Sequence, residues 1–81
     1  MDFTPKQFCE YVLKNGGAEH WIQEIRNPIW SVVINLGEGR DANILMKWCK
    51  NNCHGKYDVY SSRYVVFELE EDAIGFKLRW I

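Results

Sequence analysis

The chain has no excess of charge of either sign. Ten Lys and Arg stand against eleven Asp and Glu among 81 residues, a net charge of −1 with neutral histidines. That excludes a strongly basic nucleic-acid binder and an acidic disordered tail, but leaves room for a local basic patch. Proline is scarce, at two residues, and no internal repeat or low-complexity stretch is visible. No apolar run approaches the ~20 residues of a membrane-spanning helix. Met1-Asp2-Phe3-Thr4-Pro5 lacks the basic segment and apolar stretch of a secretory leader. The cysteines Cys9, Cys49 and Cys53 are odd in number, which argues against a disulfide framework. These absences predict one domain over residues 1–81, in a reducing cytoplasm and without a membrane anchor.

What is present is apolar and aromatic. Hydrophobic residues make up 47% and aromatics 15%, with four each of Trp, Tyr and Phe. Large rings let a short chain bury much area per residue. A domain of this size still hides a smaller share of its surface than a large one. Most rings are therefore expected in the core and some to stay half exposed, where an exposed ring cluster would suggest a partner.

The local signals define an order of elements. Thr4, Pro5 and Gln7 form a capping-box start, Phe3 and Phe8 occupy its staple positions, and Gly16-Gly17 ends a helix over 5–15. Ala18 to Arg26 reads as a short helix with Trp21, Ile22 and Ile25 inward, stopped by Asn27-Pro28. Ile29 to Leu36 reads as a strand, with Trp30, Val32, Ile34 and Leu36 on one face and Ser31, Val33 and Asn35 on the other. Asp41 caps a helix over 41–53 whose inward stripe is Ala42, Leu45, Cys49 and Cys53. Two strands, 57–60 and 64–69, flank Ser61-Ser62-Arg63 as an antiparallel hairpin. Glu70-Glu71-Asp72 begins a last helix, where the dipole favours negative charge, and Ala73, Phe76 and Trp80 form its apolar stripe.

This pattern predicts an α+β domain built as a two-layer sandwich. It resembles a truncated ferredoxin-like fold (βαββα) with an extra N-terminal helix. The first strand, the helix over 41–53 and the next strand are expected to form a right-handed crossover between parallel strands.

The segment Val65-Val66-Phe67-Glu68-Leu69-Glu70-Glu71-Asp72-Ala73-Ile74-Gly75-Phe76-Lys77-Leu78-Arg79-Trp80 resembles the ends of small accessory proteins of tailed bacteriophages. That resemblance implies a host-modulating role and assigns no functional residue. The same strand, acidic cap and helix also resemble part of RNA-recognition motifs. There Tyr64, Val66 and Glu68 would lie on an open sheet face, but the aromatic-glycine signature of that family is missing.

No catalytic constellation stands out. Cys49-x3-Cys53-His54, with Cys9 and His20 elsewhere, is the best metal candidate. It lacks a tight Cys-x2-Cys knuckle and a second ligand pair, so the cysteines read as small core residues, and no metal or cofactor is expected. Glu68, Glu70, Glu71 and Asp72 read as helix-terminal charges. Gly37-Glu38-Gly39-Arg40 sits where phosphate loops occur but lacks their ending, and reads as a tight turn.

Two binding expectations follow. A non-enzymatic protein-binding module, as a homodimer, would use Trp48, Tyr57, Tyr60 and Tyr64 as surface rings near an open sheet edge. Alternatively, residues 40–64 carry five cations, Arg40, Lys47, Lys50, Lys56 and Arg63, against Asp41 and Asp58. With the nearby tyrosines they would bind RNA or single-stranded nucleic acid.

Overall fold

The computed structural model describes residues 2–17, 19–60 and 62–81. Its first helix, α1 (Pro5–Lys14), forms where its signals stand. The Thr4 hydroxyl accepts from the Gln7 amide at 3.2 Å, and the Gln7 side chain accepts from the Thr4 amide at 3.0 Å. The Phe3 and Phe8 rings pack across that start at 6.0 Å between centroids. At the other end Gly16 is left-handed, with φ +69°. Its amide and that of Gly17 donate back to Leu13 and Val12, which closes the helix with paired carbonyls.

A second helix, α2 (Glu19–Ile25), follows. It buries Ile22 and Ile25; the expected start at Ala18 and the inward side chain of Trp21 lie outside the described residues and side chains.

Among the described residues, four strands form one open, antiparallel sheet: β1 (Asp2–Phe3), β2 (Val32–Asn35), β3 (Tyr57–Tyr60) and β4 (Tyr64–Phe67), in the order β1-β2-β4-β3. Helices α3 (Ala42–Asn52) and α4 (Glu70–Trp80) complete the chain. Both β2 and β3 are antiparallel to β4, so they run in the same direction, as the crossover requires, but β4 lies between them.

The two-layer expectation is corrected to three layers. On one side of the sheet, Phe8, Cys9 and Val12 of α1 and Ile22 and Ile25 of α2 pack with Val33, Tyr60, Tyr64 and Val66. On the other side, Leu45 and Cys49 of α3 and Ala73 and Phe76 of α4 pack with Ile34, Val65 and Phe67. The reason lies in β4. All four of its residues are apolar or aromatic and all four are buried, and a strand with two apolar faces must be covered twice. The truncated sheet is also corrected. Asp2 and Phe3 pair with Ile34 and Val33 and supply a fourth strand.

The strand expected over 29–36 begins only at Val32. Asn27 accepts from the Ile29 amide through its side chain and from the Trp30 amide through its carbonyl. This turn rotates the chain, so Trp30 packs with the α1–α2 cluster and not with Val32, Ile34 and Leu36.

Candidate functional site

The aromatic residues expected at the surface divide between the two faces of the sheet. Tyr60 and Tyr64 are buried under α1 and α2, which corrects their placement as exposed partner contacts. Tyr64 packs edge-on against Phe8 at 5.0 Å. The Tyr60 hydroxyl donates to Glu24 at 2.8 Å. Burial, followed by the hydrogen bond to Glu24, pushes the Tyr60 phenol well above its ordinary range. Burial also raises the Tyr64 phenol. The face that an RNA-recognition motif would leave open is therefore covered. Trp48 and Tyr57 are half-buried on the opposite face, where the Trp48 ring meets Phe76 edge-on at 5.6 Å.

The five cations do not converge either. The Arg40 amide donates to Ser62, and the Leu36 amide donates to Arg63, which sets Arg40 and Arg63 at one end of the molecule. The Arg40 guanidinium lies 5.8 Å from the Trp80 ring centre and donates to the Trp80 carbonyl at 3.3 Å. Lys50 stands in the last turn of α3 and Lys56 just before β3, at the opposite end, with Lys47 on α3 between.

Cys49 and Cys53 are adjacent, but Cys9 lies across the sheet from them. Burial first, then the neighbouring Cys53 and the Asp72 carboxylate, pushes the Cys49 thiol up to about 12. Such thiols are poor nucleophiles and poor ligands near neutral pH. Among the described residues, no group of three or more His, Cys, Asp or Glu side chains could hold a metal ion. In the glycine turn the Gly37 amide is taken by the Asn35 side chain at 2.8 Å, so that donor is not offered to a phosphate.

A concavity lies where the sequence showed no motif. Between α1 and the turn after α2 is a cleft of about 390 Å³. Pro5, Cys9 and Leu13 of α1 form one wall, Ile25, Pro28 and Trp30 the other, and Lys6, Glu10, Arg26 and Asn27 complete the lining. Its volume falls in the range of small-ligand and anchor sites. Three contacts shape it. The Trp30 indole donates to the Glu24 carbonyl at 3.0 Å. The Cys9 thiol donates weakly to the Ile22 carbonyl at 3.9 Å. Asn27 pins the turn through the Ile29 amide at 3.2 Å. Leu13 stays 62% exposed beside it. The legible signal was the mismatch of Leu13 with the inward stripe of Phe8 and Val12; the cleft itself depends on how α2 lies against α1.

No family model, curated protein or solved structure matches the chain. None of the described helices is long and apolar enough to cross a membrane.

Proposed function

We propose that this chain is a non-enzymatic protein-binding module whose α1 cleft receives an apolar anchor side chain of a partner. The observation that carries this reading is the cleft itself: apolar walls of Leu13, Ile25, Pro28 and Trp30, with charged Lys6, Glu10 and Arg26 beside them. Binding energy concentrates where one large side chain fills a desolvated pocket inside a polar rim. Two of the three charges are cationic, which suits a partner segment carrying an acidic residue next to its anchor. The order of β2, α3, β3, β4 and α4, with β4 between β2 and β3, supports a ferredoxin-like reading in which β1 takes the outer strand position. The resemblance of residues 65–80 to phage accessory proteins supports a setting in a host cytoplasm, acting on a host or viral protein.

Site-specific photo-cross-linking tests this reading. A photo-reactive residue replaces Leu13 in one protein and Lys50 in a control. The expected result is one cross-linked protein from position 13, absent from position 50 and lost when Trp30→Ala disrupts the cleft in a still-folded chain. Cross-links to RNA, concentrated at position 50, would favour the nucleic-acid reading instead. Equal labelling from both positions would remove the cleft as the binding site.

A further inference from the structure

The outer side of α4 carries an apolar row. Ile74, Leu78 and Ile81 fall three and four residues apart and so share one side of the helix; they are 55%, 84% and 71% exposed. Beside the row runs a groove of about 240 Å³, lined by Asp2 and Val32 at the sheet edge and by Glu70, Ala73, Ile74 and Lys77 of α4. The same face therefore holds both a projection and a hollow. Charge is graded along it. Glu70 and Glu71 stand in the first turn and Lys77 in the last, while Arg79 is turned aside over the Trp80 ring at 4.4 Å. Lys77 also holds Asp2 at 2.6 Å on the rim of the groove.

We propose that this face binds a second copy of this chain, the two α4 helices lying antiparallel about a two-fold axis. In that arrangement each acidic first turn meets the basic last turn of the other copy, and the two helix dipoles oppose. Leu78 of each copy projects toward the groove beside Ile74 of the other. A parallel arrangement would set like charges on like. Matching of one patch to itself is the requirement of an isologous two-fold interface. The face lies on the opposite side of the sheet from the α1 cleft, so this inference does not rest on the proposed partner site.

Sedimentation equilibrium of the full chain at micromolar concentrations tests it. Wild type is expected to dimerise, and Leu78→Glu to weaken self-association about 30-fold or more, as loss of a central anchor does, with its circular dichroism unchanged. Glu70→Lys/Glu71→Lys and Lys77→Glu should each self-associate poorly, and an equimolar mixture should recover a heterodimer. Leu13→Asp should leave the dimer intact, which separates this face from the cleft. A monomeric wild type, a dimer unaffected by Leu78→Glu, or a mixture that fails to pair would overturn the proposal.

Discussion

Asp72 is a buried carboxylate, 4% exposed, in a small domain. Its oxygens accept the His54 amide at 3.1 Å and the Gly55 amide at 2.9 Å. It thereby ties the first turn of α4 to the turn between α3 and β3. Gly55 has to be small there, because a Cβ would come within 2.7 Å of the Leu69 side chain. Glu68 makes a parallel contact to the Lys56 amide at 2.9 Å. The acidic run thus does more than complement a helix dipole: two of its members hold a loop. Asp72→Ala leaves two amide donors without their acceptor and is expected to cost about 1.5–3 kcal/mol in urea unfolding. A loss below about 0.5 kcal/mol, the range of an unconstrained surface change, would show that water replaces the carboxylate.

The ends of α1 show local sequence acting alone. Thr4 and Gly16 satisfy donors and acceptors that the helix itself leaves open. Thr4→Ala is expected to lower stability by about 1 kcal/mol. Gly16→Ala, at φ +69°, should cost about 1 kcal/mol as well, by placing a Cβ in the left-handed region. The two sites lie about 18 Å apart along the helix and share no partner, so the losses should add in the double variant. Equilibrium unfolding of the three variants checks this; a clearly sub-additive double variant would mean that the helix frays as one unit. The strand before α3 is the contrasting case. Its alternation was readable from Val32 to Leu36, but the Asn27 turn displaced Trp30 to the other layer.

For the whole molecule, burial of protonated thiols and phenols couples stability to alkaline pH. Burial is the largest cause of the upward shifts at Cys9, Cys49, Cys53, Tyr60 and Tyr64. In an unfolded chain thiols ionise near about 8.5 and phenols near about 10. The folded state keeps those protons longer. It therefore binds more protons above pH 9, and stability must fall as pH rises. The unfolding free energy from urea titrations is expected to be flat to about pH 8 and to decline above about pH 9, by up to about 1.4 kcal/mol per pH unit for each group, and the midpoint falls with it. Cys49→Ala should flatten that decline at its lower end, whatever it does to the midpoint at neutral pH. A midpoint unchanged through about pH 10 would contradict the burial of these groups.

The local elements are written into the chain. Caps, glycine stops and periodicity depend on contacts within a few residues, so α1, α3, the hairpin of β3 and β4, and α4 were all legible. It also contained the apolar run Tyr64–Phe67, whose two-sided burial was readable in principle. Packing between distant segments set which layer each surface joined. The strand β1 is two residues long and has no propensity signal; only its register against Ile34 and Val33 makes it a strand. Tyr60 and Tyr64 have the composition of binding residues, but α1 and α2 cover them. The α1 cleft and the α4 face likewise come from packing: one is the space left between α1 and the turn after α2, the other the side of a helix that the sheet does not reach. Local free energies select elements. Burial of area between distant segments selects which faces remain for a partner.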